Sequence, residues 1–278
     1  MDEPSEEVGL SVDVNGVKTN YHDLGDGPPV LLIHGSGPGV SAWANWRTVL
    51  PLLGRAHRVL APDIVGFGYT DRPAGLVYGP DVWLEHLLGF LDAVDVPKVS
   101  VVGNSFGGAL ALRLAIAAPE RVDRLVLMGS VGVPFEITPG LDAVWGFEPS
   151  LDAMRNLMRV FTYNGSAVNE DLVRLRLDAA TRPGVHEAYA GMFPQPRQDG
   201  VDLLTLADEL IAAVPHETLI VHGRDDQVIP LSNSVRLLEL LDRAQLHVFA
   251  RCGHWVQIEQ GQRFAALLES FLAEQAAV

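Results

Sequence analysis

Gly103-Asn104-Ser105-Phe106-Gly107 sets one hydroxyl between two glycines, each two residues away. Where a strand leads in and a helix leads out, such a turn is sharp enough to force its central residue into a strained conformation. Glycines at the flanks avoid collisions between strand and helix. Ser105 would then project above a sheet, with a helix N-terminus and its free amides behind it. Serine is a weak nucleophile unaided: it needs a base, and the base needs an orienting acid. In this setting the chain order is serine, then Asp or Glu, then His. Of nine histidines, His254 alone lies in a Gly-His loop after the final apolar run, while VHGRDDQVIP offers Asp225 and Asp226. His34, ending an early run, and His222, inside one, read as satisfied structural histidines.

Acyl transfer also needs donors for a developing oxyanion. One is the amide of Phe106, next after the serine. The other is expected from the glycine-rich HGSGPG (34–39), with Ser36 the best candidate. The competing readings are a serine N-cap among packed glycines, and a phosphate cradle. The second lacks the Gly-Lys-Ser/Thr of a P-loop, and no dinucleotide fingerprint is present.

The elements that would position these groups follow from periodicity. Two alternating segments, VGLSVDVNG and VKTNYHDLG, predict a hairpin turning at Asn15-Gly16. Short apolar runs predict strands covered on both faces at 29–35, 57–64, 98–105 and 122–130, and the strand pattern resumes at 217–224 and 244–250. Helical patterns lie near 80–94, 106–118, 231–240 and 261–275. Such alternation means right-handed crossovers and a mostly parallel sheet. It breaks after Gly132. The interval 134–200 carries helical patterns without a convincing strand and reads as a helical lid, leaving 1–133 and 201–278 as the core.

Within that interval NEDLVRLRLDAAT (169–181) predicts a helix with Asn169 as N-cap. At ~100° per residue, Leu172, Val173, Leu175, Leu177, Ala179 and Ala180 form one broad apolar face with Arg176 at its centre. Arg174 and Asp178 fall opposite, as a solvated i,i+4 pair. An inward arginine demands an anion, since unpaired burial is very costly. That anion is either a core acid such as Asp202 or Glu148, or a bound ligand. Met154, Leu157, Met158 and Phe161 recur at helical spacing and read as packing, with some lining a pocket. Val131 and Val133 are further pocket candidates.

Composition narrows the functional classes. The 278 residues are 48% hydrophobic, enough for one large core, and no apolar run approaches a membrane span. The formal net charge of -15 disfavours nucleic acid and anionic lipid as partners. The acidic start MDEPSEEVGL does not resemble a signal peptide. The single cysteine, Cys252, excludes an intrachain disulfide framework, fits the cytoplasm and reads as buried filler. No metal site is expected, because paired His and carboxylate ligands at useful spacing are missing.

Together the HGxG loop, DIVGFGYTDRP (63–73), GNSFGG, HGRDD and GHW resemble the α/β-hydrolase fold across nearly the whole chain. More narrowly, HGSGPGVSAWANWR, GNSFGGALAL and CGHWVQIEQ resemble the meta-cleavage product hydrolases of bacterial aromatic degradation. That resemblance implies an α/β architecture: a mostly parallel eight-stranded sheet, helices on both faces, and a helical lid inserted after strand 6. Its Gly-Arg-x-Asp pattern selects Asp226 over Asp225 as the acid, giving Ser105, Asp226 and His254. It implies a C–C bond hydrolase of 2-hydroxy-6-oxo-hexa-2,4-dienoates, with no cofactor and a homo-oligomeric state. The family's polar pocket positions fall on Asn45, Asn104 and Trp255, and Arg176 matches a lid arginine that holds the substrate's C1 carboxylate. A carboxylesterase acting on neutral esters with the same triad is the alternative; a haloalkane dehalogenase would need a carboxylate where Ser105 stands. The C6 substituent stays open, with a slight resemblance toward the monoalkylbenzene and phenol branch.

Overall fold

The computed structural model describes residues 6–165 and 168–274; the first five residues of the acidic start, and the end of the helix predicted to reach 275, lie outside them. Eight strands form one sheet in the order β1-β2-β4-β3-β5-β6-β7-β8. They are β1 (Leu10–Val14), β2 (Val17–Leu24), β3 (Pro29–Ile33), β4 (Arg58–Pro62), β5 (Val99–Asn104), β6 (Val122–Met128), β7 (Thr218–Gly223) and β8 (Ala244–Phe249). The β1–β2 and β2–β4 pairings are antiparallel, and all pairings from β4 onward through β8 are parallel. Asn15 and Gly16 both adopt positive φ at the hairpin tip, as a two-residue turn that follows strand twist requires.

The first helices are α1 (Ala42–Trp46), α2 (Leu50–Leu53), α3 (Pro80–Ala93) and α4 (Phe106–Ala117). Between β6 and β7 come α5 (Pro139–Trp145), α6 (Leu151–Phe161), α7 (Glu170–Ala180), α8 (Val185–Met192), α9 (Gln198–Leu204) and α10 (Asp208–Ala212). The chain closes with α11 (Leu231–Leu240), α12 (Val256–Glu259) and α13 (Gly261–Ala273). No strand occurs among the described residues of 134–200, and α9 runs across the expected boundary at 200 without a break.

The parallel strands β3 to β7 are apolar on both sides because each side feeds a different core, while the edge strand β8 is mostly half-buried or exposed. Leu31, Ile33, Val101, Leu125, Leu127 and Ile220 pack with Trp83, Leu87 and Phe90 of α3 and Leu110 and Leu114 of α4. Their neighbours Val30, Leu32, Val102, Val126, Leu219 and Val221 pack with Trp46, Leu50, Phe264 and Leu268. Each fully buried Leu or Val contributes about 1.5–3 kcal/mol relative to exposure, which fixes the register, since a one-residue slip would exchange the two faces.

On α7 the Asn169 side chain accepts from the Leu172 amide, as the N-cap reading requires. Val173, Arg176, Ala179 and Ala180 are its buried residues. Leu175 departs from the expected apolar face: it is 56% exposed. It sits at the edge of the stripe, where a 100° step carries it round to the side of Arg174, which is also exposed. Val131 and Val133 are fully buried in the core and do not line the cavity described below.

Candidate active site

The turn between β5 and α4 places Ser105 at φ 56°, ψ -115°. A non-glycine residue in such a region costs on the order of 1–3 kcal/mol and persists only when its surroundings hold it. Here the Ser105 amide donates to Met128 O at 2.8 Å, while Ser105 O accepts from the amides of Gly108 at 2.9 Å and Val131 at 3.2 Å. The tightness explains the glycines: a Cβ at Gly103 would run into Gly107 O, and one at Gly107 into Ile33 O. Ser105 and His254 line the same cavity.

His254 Nδ1 lies 2.7 Å from Asp226 Oδ2 and donates to it, leaving Nε2 as the basic nitrogen. Asp226 is aimed by its own loop: its Oδ1 accepts from the amides of Val228 at 2.7 Å and Ile229 at 3.0 Å. Burial pushes the Asp226 carboxyl up, but the His254 ring, the His222 ring and the Ile229 amide outweigh it and bring it below its ordinary value. Asp225 turns the other way and faces Arg224 at 3.6 Å. Adjacent residues in this turn therefore take different roles: the buried Asp226 side chain meets His254, while the half-buried Asp225 side chain lies beside Arg224. Gly129, at φ 51°, passes beside the pair; a Cβ there would stand 3.3 Å from both Asp226 Oδ2 and His254 Nδ1.

Ser36 lines the cavity, and its Oγ accepts from Trp145 Nε1 at 2.9 Å, so a tryptophan of α5 holds the loop after β3. Phe106 is the first residue of α4, where amides have no intrahelical acceptor. His34 and His222 are both satisfied structural histidines. His34 bonds Gly35 O at 2.7 Å and accepts from Ile64 N at 3.0 Å, and burial lowers its pKa to about 4. Cys252 is buried, and burial beside Glu259 pushes its thiol up to about 12.

The remaining expected site residues also converge on the cavity. Asn45, Asn104, Arg176 and Trp255 all line it. Asn45 Oδ1 accepts from Gly35 N at 3.4 Å, while its buried Nδ2 has no partner. Asn104 Nδ2 donates to Met128 O at 3.4 Å, which fixes its side chain beside the turn. Trp255 stacks on Phe161 at 4.6 Å and 10°. Of the helical repeat on α6, Met158 and Phe161 reach the cavity and Met154 and Leu157 do not.

Arg176 has both an anionic neighbour and cavity exposure. Its partner is Glu7, at 3.4 Å, rather than Asp202 or Glu148; a second donor reaches Gly39 O at 2.5 Å. Burial lowers the Arg176 pKa, and Glu7 draws it back up. Glu7 is itself buried and accepts from Ser41 Oγ at 2.7 Å. Arg47 and Gln257 line the cavity as well, and the buried Gln257 Oε1 has no partner. Sequence reasoning missed Glu7, Arg47, Trp145 and Gln257. For Glu7 no local signal existed, since the pair spans 169 positions. The lining is thus polar from α1, α7 and the 255–257 segment. It is apolar from Leu141, Val144, Met158, Phe161 and Val228.

A strained serine turn that shares one cavity with an imidazole held by a buried carboxylate is the layout of a serine-type hydrolase. The model of the alpha/beta hydrolase family matches residues 30–267. A 2-hydroxy-6-oxo-2,4-heptadienoate hydrolase of Pseudomonas putida F1 is 59% identical over 97% of this chain and 98% of its own. A 2-hydroxymuconate semialdehyde hydrolase of Pseudomonas sp. CF600 is 56% identical over 97% and 95%. The solved meta-cleavage product hydrolase CumD of Pseudomonas fluorescens IP01, in a variant complexed with acetates, superposes with a TM-score of 0.95. It is 56% identical over 96% of this chain and 98% of that one. The chain belongs to the alpha/beta hydrolase family and, within it, to the meta-cleavage product hydrolases.

Proposed function

We propose that this enzyme hydrolyses the C5–C6 bond of 2-hydroxy-6-oxo-hexa-2,4-dienoates with a small C6 substituent. The products are 2-hydroxypenta-2,4-dienoate and a carboxylic acid. The observation that carries the reading is a cavity lined by Ser105 and by His254, itself bonded to Asp226, whose wall pairs Arg176, Arg47 and Asn45 with an apolar set. A dienoate has one ionic end and one apolar end, which matches that division. The named substrates of the two relatives carry a methyl group or hydrogen at C6.

In this reading the dienol first ketonises, the proton of its 2-hydroxyl moving to C5. Ser105 Oγ adds to C6 as its proton passes to His254 Nε2, and Asp226 stabilises the resulting imidazolium. The amides of Ser36 and Phe106 take the oxyanion, a contribution of about 3–4 kcal/mol per donor. Collapse breaks C5–C6, the electron pair leaving as an enolate that His254 protonates. Water, deprotonated by His254, then frees the acid from the acyl-serine. Arg176 holds the C1 carboxylate, with Asn45, Asn104 and Trp255 around the dienoate. Residues 134–200 act as a lid, with Trp145 tying it to Ser36. The homo-oligomer expectation belongs to this reading and is tested by sedimentation velocity.

The test compares Arg176→Ala with the parent on two substrates. Loss of the yellow dienolate absorbance should slow strongly, in KM or kcat, while p-nitrophenyl acetate turnover changes little. Equal losses on both substrates would contradict a carboxylate clamp. Ready turnover of neutral esters with none of the dienoate would instead favour a carboxylesterase.

A further inference from the structure

His222 is fully buried and lies beside the same oxygen of the triad acid that His254 meets. Its Nε2 lies 3.0 Å from Ile229 O and 3.4 Å from Asp226 Oδ2, and its Nδ1 lies 2.7 Å from Ser234 Oγ. A carbonyl and a carboxylate oxygen can only accept, so Nε2 carries the proton. Nδ1 is then the acceptor, and the Ser234 hydroxyl donates to it. Burial lowers the His222 pKa, in keeping with a neutral ring. Ser234 is fully buried too, on α11, so β7 and α11 together fix this imidazole.

We infer that His222 is a positioning residue for the reaction: its Nε2–H donates to Ile229 O and stands 3.4 Å from Asp226 Oδ2, and so holds the loop whose amides aim the acid that holds His254. The inference rests on the triad reading of Ser105, Asp226 and His254. Asp226 receives three hydrogen bonds, two from loop amides on Oδ1 and one from His254 on Oδ2, with the His222 N–H 3.4 Å from Oδ2. The Ile229 peptide closes the loop, donating to Oδ1 through its amide and accepting from His222 through its carbonyl. Without His222, Ile229 O loses its ring donor, and the loop that presents two amides to Oδ1 loses its anchor. The carboxylate is then held less firmly, and the base loses its aim. Substrate contacts are untouched, so the effect belongs in kcat rather than KM.

The test uses His222→Leu, His222→Gln and Ser234→Ala in the full chain. Readouts are kcat and KM on the ring-fission dienoate and the low-field proton resonance of His254 Nδ1. His222→Leu should lower kcat about ten-fold at unchanged KM, the scale of one buried carbonyl left without its donor. The resonance should move upfield as the Asp226–His254 hydrogen bond loosens. His222→Gln, which restores an N–H donor, should recover most of kcat and return the resonance. Ser234→Ala, which frees the tautomer while keeping the ring, should fall between. Parental kcat and an unmoved resonance in His222→Leu would overturn the inference, as would a glutamine variant no better than leucine. Should the leucine variant fail to fold, Ser234→Ala decides: an unchanged kcat and resonance there overturns it. Undiminished turnover in Ser105→Ala would sink the triad reading itself, an outcome separate from these.

Discussion

Replacing Glu7 by glutamine removes the acid facing Arg176 and keeps its shape. At 3.4 Å and an effective dielectric near 20, the lost Coulomb attraction is about 332/(20 × 3.4), roughly 5 kcal/mol. Both side chains are about nine-tenths buried, so solvent does little to screen the guanidinium left behind. Breaking such a pair from one side costs about 3–5 kcal/mol. The hydrogen bond from Arg176 to Gly39 O survives and holds the loss near the low end. For a chain of this size, about 3 kcal/mol lowers Tm by about 6–12 °C. A carboxylate in the cavity would then meet an uncompensated cation. Bound 2-hydroxypenta-2,4-dienoate should therefore raise Tm more in Glu7→Gln than in the parent, and inhibit it at lower concentration. Differential scanning calorimetry with and without that product reads both effects. A Tm within 2 °C of the parent, or equal product-induced shifts, would refute the reasoning that Glu7 and the ligand compete for one charge.

Two further outcomes follow from particular contacts. Gly129→Ala adds a methyl 3.3 Å from both Asp226 Oδ2 and His254 Nδ1 at a left-handed backbone position; kcat should fall about ten-fold or more while the backbone strain costs only about 1–2 kcal/mol in denaturant titrations. Burial lowers His34 and His86 to about 4, so between pH 6.5 and 4 their unfolded forms bind protons that the folded forms refuse. Their contribution to stability is therefore present above pH 6.5 and lost as pH falls toward 4, opposed in part by Asp63, which burial raises to about 6. His86→Gln should flatten the decline in urea midpoint between pH 6.5 and 4.5, and an unchanged slope would contradict the assignment.

Much of this arrangement is legible in the chain because it is local. All eight strands announce themselves through apolar runs or hairpin alternation, although the edge strand β8 is not buried on both faces. The strain at Ser105 is written in Gly103 and Gly107, whose missing side chains make room for backbone a few residues away. Asp226 and His254 each follow a strand end, so topology brings them together. What stays hidden is pairing over long separations. Arg176 announces its need for an anion through its place on α7, but nothing near Glu7 marks it as the answer. Trp145 reads as one more apolar residue until the fold sets its ring nitrogen on Ser36. Leu175 shows the limit of the helical wheel, since an edge position is buried only where a neighbour covers it. His222 reads correctly as a satisfied histidine; its contact with Asp226 depends on how the loop after β7 folds back.

The account turns on Ser105 as the group that becomes acylated, and turnover of 2-hydroxy-6-oxo-hepta-2,4-dienoate by Ser105→Ala measures this most directly. A fall in kcat of about a thousand-fold or more is expected, with the yellow substrate still bound. Turnover within ten-fold of the parent would contradict it.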